Sequence, residues 1–145
     1  MFFRKKSHII RIRNLEPLTA SSFAVERKIK LREEVKRQTK NLDEIREFCH
    51  DEKLSIDVRF FLYDGSKDQN PQPEGRIKKD LDNLLKIVLD VLPEKMDSDG
   101  KNDGLGLIKR DYDHLVYEIK STKKIVYDKD EEGIDIVISK WNKTA

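Results

Sequence analysis

The sequence predicts a small α+β domain, a mixed β-sheet carrying two to three helices in the order β-α-β-α-β-β. Three observations carry that prediction. Leu54–Tyr63, "LSIDVRFFLY", alternates, with Leu54, Ile56, Val58, Phe60 and Leu62 on one face and mostly polar residues on the other. Leu81, Leu84, Leu85, Val88, Leu89 and Leu92 repeat with helical spacing and stop at Pro93. The chain has 145 residues, which suits one domain with a modest core, taken here as residues 1–145.

The elements follow in order. "SHIIRIR", Ser7–Arg13, alternates as a first strand, and "NLEPLTASS" reads as a turn-rich connection. From about Val25 to Thr39 the pattern is a highly charged helix with a thin apolar stripe of Val25, Ile29 and Val35. A second helical piece runs from Leu42 to His50, with Asn41 placed to cap it and Leu42, Ile45, Phe48 and Cys49 on its apolar face. The Leu54–Tyr63 strand ends in a Gly/Pro/Asn loop, "DGSKDQNPQPEGR", and the leucine-rich helix follows. Beyond Pro93 lies a polar, glycine-rich loop, "EKMDSDGKNDGLG". Two strands are expected after it, near Leu115–Tyr127 and Ile134–Trp141. No internal repeat and no domain boundary is visible.

Composition excludes several classes. Hydrophobic residues make up 37% and charged residues 40%, a charged surface around a patterned core rather than a disordered tail. No apolar run is long enough to span a bilayer, so no membrane partner is expected. "MFFRKKSHII" lacks the apolar segment and cleavage site of a signal peptide. Cys49 is the only cysteine, which points to a reducing, cytoplasmic setting without a zinc-thiolate site. His8, His50 and His114 have no metal-ligand spacing and read as surface or edge residues. "DSDGKNDG", Asp97–Gly104, fails the EF-hand register in either frame and reads as an acidic loop. Phe60 is expected in the core, whereas Phe61, Tyr63 and Trp141 are open either to packing or to stacking on bases.

The net charge of +2 hides an asymmetry. Residues 1–40 hold 12 Lys and Arg against 4 Asp and Glu, and the rest of the chain holds 18 against 24. A basic segment and an acidic segment in one domain suit a polyanion and a metal cation, although a solvated helix face and acidic loops explain the same counts.

The densest charge lies in "RIKKDLDNLLK", Arg76–Lys86. Asp80 precedes the first apolar helical residue, and Asp82 falls in the first turn. Helix capping and dipole complementation explain a single aspartate there. Two aspartates separated by one residue also allow their carboxylates to converge on a hard cation such as Mg²⁺, which keeps several waters and needs few protein oxygens. Asp82, Lys86 and Asp90 share one helix face. Arg76, Lys78 and Lys79 lie just upstream, where a phosphate would meet them. The set fits metal-assisted phosphodiester hydrolysis.

"KKDLDNLLKIVLDVL" resembles the signature of the RusA family of Holliday junction resolvases. That signature is a basic run, Asp-(Leu/Ile)-Asp-Asn-Leu, a lysine four residues beyond the second Asp, and a helix continuing to Asp-x-Leu. Here these are Asp80, Asp82, Asn83, Leu84, Lys86 and Leu89–Leu92. The family's later acidic element, an Asp-Asp pair before a strand with a basic residue, is matched best by "RDYDHLVYEIKSTKK". Asp113 takes the second Asp position, with Val116 three residues on and Lys123 ten on. Tyr112 replaces the first Asp, Asp111 stands next to it, and the Pro93–Asp113 loop is longer than in the family.

The resemblance implies a RusA-like fold and a Mg²⁺-dependent endodeoxyribonuclease that resolves four-way DNA junctions in recombination and repair. It implies that Asp80, Asp82 and Asp113 hold Mg²⁺, that Lys86 assists catalysis, and that Arg76, Lys78, Lys79 and Lys123 contact DNA. It also implies a homodimer, whose two-fold symmetry suits the pseudo-symmetric junction. The alternative is a catalytically inactive, junction-binding homodimer on the same fold. A protein-interaction module with a merely capped helix is a third possibility.

Overall fold

The computed structural model describes residues 7–19, 24–65, 79–93, 104–108 and 115–141. The elements are β1 (Ser7–Arg13), α1 (Ala24–Gln38), α2 (Leu42–Cys49), β2 (Leu54–Tyr63), α3 (Leu81–Val91), β3 (Val116–Val126) and β4 (Gly133–Lys140), with a 3₁₀ turn at Lys129–Glu131. The strands form one sheet in the order β1-β4-β2-β3. β4 is antiparallel to both β1 and β2, and β2 is parallel to β3, so the sheet is mixed as the sequence predicts.

Alternation decides which face of the sheet is covered. His8, Ile10 and Ile12 lie opposite Ile138, Ile136 and Ile134, which in turn lie opposite Ile56, Val58 and Phe60. This inner face packs on Leu31 and Val35 of α1, Ile45 and Cys49 of α2, and Leu84, Ile87, Val88 and Val91 of α3. Burying side chains of this size stabilises the fold by about 1.5–3 kcal/mol each before chain entropy is charged against it. On the other face Asp135 is almost fully buried, and its carboxylate takes Arg13 at 2.8 Å and Arg11 at 3.4 Å. Gly133 lets β1 approach closely, since a Cβ there would stand 1.9 Å from the Ile12 carbonyl oxygen.

Four sequence expectations are corrected. Val25 and Ile29 are exposed, at 69% and 45%, and Leu31 with Val35 forms the buried stripe of α1. Asn41 occupies the N-cap position of α2, but its side chain makes no capping hydrogen bond. His8 lies on an edge strand yet is buried, its ring edge-on to Phe48 at 4.7 Å. The apolar side of α3 is turned from the expected one, with Ile87 and Val91 buried and Leu81, Leu85 and Leu89 only half-buried. At the end of the glycine-rich loop Leu105, Leu107 and Ile108 are buried. The Leu105 and Leu107 N–H groups donate to the Val91 and Leu92 carbonyls, at 2.8 and 3.0 Å. Arg46 donates two bonds to the Leu105 carbonyl, tying this segment to α2. Buried backbone requires such partners, and here the freed C-terminal carbonyls of α3 supply two of them.

Among the described residues, no helix is long and apolar enough to cross a membrane.

Candidate functional site

The N-terminus of α3 is where the sequence places its charged motif, and the local backbone follows from the residues. Leu84, Ile87, Val88 and Val91 bury one side of the helix. That burial fixes its rotation and leaves Asp82 and Lys86 exposed to solvent. Asp80 is extended (φ −70°, ψ 134°), and its carbonyl accepts the Leu84 N–H at 3.0 Å, so it is the N-cap residue by backbone. Its side chain makes no capping hydrogen bond. An aspartate at this position ordinarily satisfies one of the orphan N–H groups of the first turn. The Asp80 carboxylate is thus not spent on the helix, and Asp82 stands two residues away at the same positive helix end.

The charged stripe along α3 is split by its neighbours. Asp90 pairs with Lys28 of α1 at 2.8 Å, which joins the two helices. Among the described residues neither Asp82 nor Lys86 has an ion-pair partner. The stripe is therefore a structural bridge at Asp90 and an open Asp/Lys pair at the N-terminal end.

Two further lysines converge on that end. Lys123 lies on the helix-covered face of β3, opposite Phe60, and its ammonium donates to the Lys79 carbonyl at 3.0 Å. Lys79 itself reaches the loop after β1, donating to Glu16 Oε2 at 3.0 Å and to the Pro17 carbonyl at 2.8 Å. Lys79 thus anchors the chain entering α3 as well as contributing charge. A cleft that shares Glu16 and Pro17 with the partners of Lys79 is lined by Arg27, Lys30, Leu84, Ile87 and Val88, and so lies along the middle of α3.

Of the residues singled out in the sequence, the structure brings together Lys79, Asp80 and Lys123, with Asp82 and Lys86 on the adjoining first turn and a half of α3. Arg76, Lys78, Asp111, Tyr112 and Asp113 lie outside the described residues. Glu16 was missed. It sits in a turn-rich stretch with no pattern of its own, and only its partner, 63 residues away, gives it a role.

Asp80 and Asp82 are oxygen donors of the type that Mg²⁺ takes, one or two carboxylates sufficing when waters complete the shell. Among the described residues no group of three or more His, Cys, Asp or Glu is placed to hold a metal ion. A third protein carboxylate would have to come from elsewhere in the chain. Comparison with protein-family models, with curated proteins and with solved structures returned no match.

Proposed function

We propose that this protein is a Mg²⁺-dependent, structure-selective endodeoxyribonuclease of RusA type that resolves four-way DNA junctions as a homodimer, within DNA recombination and repair. The observation that carries the reading is the Asp80/Asp82 pair at the N-terminus of α3, with the Asp80 carboxylate unused for capping and Lys123 bonded next to it. Helix capping alone does not account for an N-cap aspartate whose side chain caps nothing.

In this reading Asp80 and Asp82 hold Mg²⁺, with Asp113 as the third ligand that the family resemblance implies. The ion would polarise a backbone phosphoryl group and lower the pKa of a bound water. Lys86, one helical turn beyond Asp82, is placed to stabilise charge developing on the phosphate oxygens. Lys123 holds the backbone at Lys79 and so positions the entry to α3. Together with Arg76, Lys78 and Lys79 it supplies the cationic rim that a DNA backbone requires, through contacts that position rather than specify sequence.

The inactive junction-binding homodimer remains the second reading, favoured by Tyr112 in place of the first Asp of the family's acidic pair and by the long Pro93–Asp113 loop. Cleavage of a labelled four-way junction, with plain duplex as control, separates the readings. Symmetric nicks in Mg²⁺ that vanish in EDTA and in Asp82→Asn support the nuclease. Tight junction binding without nicks supports the inactive homologue. Neither binding nor cleavage removes both.

A further inference from the structure

We propose that the outer edge of β3 is a homodimer interface, pairing antiparallel with β3 of a second copy about a two-fold axis that passes through Ser121. This supplies the contact surface for the homodimer of the proposed function and rests on that reading only in that respect.

β3 has eleven residues and ends the sheet, with β2 as its only strand partner among the described elements. Its outer row of backbone N–H and C=O groups is a template for another strand. Apolar side chains stay exposed along it, Tyr117 at 49% and Ile119 at 44%. The opposite edge, β1, is shorter and closed at its end: the Arg13 N–H donates to Gln38 Oε1 at 2.9 Å, and the Arg13 carbonyl accepts from Gln38 Nε2 at 2.8 Å.

The register follows from charge. A two-fold axis perpendicular to the sheet sets residues of the same face opposite one another, so it must pass through a residue rather than between two. An axis at Lys120 or Lys123 sets that lysine against its own copy. An axis at Thr122 sets Lys120 against Lys124. An axis at Ile119 leaves Lys123, Lys124, Ile125 and Val126 without partners on β3 of the other copy. At Ser121 every opposition is favourable or neutral. Glu118 meets Lys124 of the second copy, twice by symmetry; Tyr117 meets Ile125, Val116 meets Val126, Lys120 meets Thr122, and Ile119 meets the aliphatic stem of Lys123. Opposite charges and aromatic–β-branched pairs across strands are the contacts that stabilise antiparallel pairing. The result is an isologous contact and a continuous eight-stranded sheet. Both sets of helices lie on one side, with each Lys123 two residues from the axis, so both α3 N-termini would face the same side of the assembly.

The test needs no substrate. Cα atoms directly opposite in an antiparallel pair are about 4.5–5.5 Å apart, within disulfide reach. Cys49, the only cysteine, is buried and does not compete. Full-length Ser121→Cys, treated with a mild oxidant, should run at twice the monomer mass, and Lys124→Cys alone should not. An equal mixture of Glu118→Cys and Lys124→Cys should cross-link. By light scattering the wild type should be a dimer. Glu118→Lys should raise its dissociation constant at least tenfold, and Glu118→Lys combined with Lys124→Glu should restore it. A wild type that is monomeric at all concentrations overturns both the interface and the homodimer, leaving junction cleavage to be judged separately. It would mean that Lys120, Lys123 and Lys124 guard a bare edge. A dimer in which Ser121→Cys fails to cross-link overturns the β3 interface alone.

Discussion

Asp80 and Asp82 are two residues apart, yet the fold treats them differently. Asp80 is held in extended backbone by the start of α3, whereas Asp82 rides on the first turn. Asp82→Asn keeps size and helix position while removing the charge. In the proposed nuclease it should abolish Mg²⁺-dependent nicking and leave the circular dichroism spectrum and thermal midpoint nearly unchanged, since exposed substitutions move stability little. Lys86→Ala should slow nicking about 100- to 1,000-fold, the usual cost of losing one electrostatic stabiliser, measured under single-turnover conditions. Cys49 gives a prediction independent of function. Burial pushes its thiol up from 9.0 to about 11, so the folded state disfavours the thiolate. Stability linked to this group is intact below pH 9 and declines as pH rises from there to about 11. Urea titrations at pH 8 and 10.5 should show a larger loss for the wild type than for Cys49→Ala.

At the scale of elements, α3 is the piece on which site and core meet. Its buried side holds Leu84, Ile87, Val88 and Val91, and its exposed side carries the motif. Leu84 is 1% exposed and lies within one turn of Asp80, so Leu84→Ala should cost about 2–5 kcal/mol in urea unfolding. The helix was legible from its leucine spacing, but its rotation only in part: Leu84, Val88 and Leu92 are buried as expected, Leu81, Leu85 and Leu89 are half-buried, and Ile87 and Val91 complete the buried side. The rotation of α1 departs from the sequence expectation because its stripe is thin and heavily charged: where α1 packs against β1 and α3, Leu31 joins Val35 in the core and Val25 and Ile29 stay exposed. The segment 104–108 was unreadable from sequence, because its burial depends on Arg46 and on the end of α3, neither adjacent in the chain. Gly133→Ala should destabilise the β1–β4 pair, because the added methyl meets the Ile12 backbone rather than a movable side chain; thermal melting checks it.

For the whole molecule, charge organisation matters more than net charge. The formal net charge is +2, but Lys79 and Lys123 converge on the start of α3. Junction affinity in the proposed function should therefore fall steeply with salt. Each phosphate contact contributes a slope of about −0.9 in log K against log salt. Lys123→Ala should reduce the magnitude of that slope by about one, measured by junction binding in Ca²⁺ across a salt series.

The sequence by itself determined the order of elements, the strands Ser7–Arg13 and Leu54–Tyr63 to the residue and the inward face of β2, and of the expected α3 stripe it placed Leu84, Val88 and Leu92 in the core. These depend on periodicity within ten or so residues, and local side-chain spacing decides them. It also pointed to the aspartates and lysine at the start of α3. Only the tertiary structure decided that β4 would insert between β1 and β2, that β2 and β3 would run parallel, and that Lys123 would reach the Lys79 carbonyl from 44 residues away. Those outcomes depend on which apolar faces meet first across the chain and on where backbone groups at element ends find partners, and neither is encoded in any single stretch of residues.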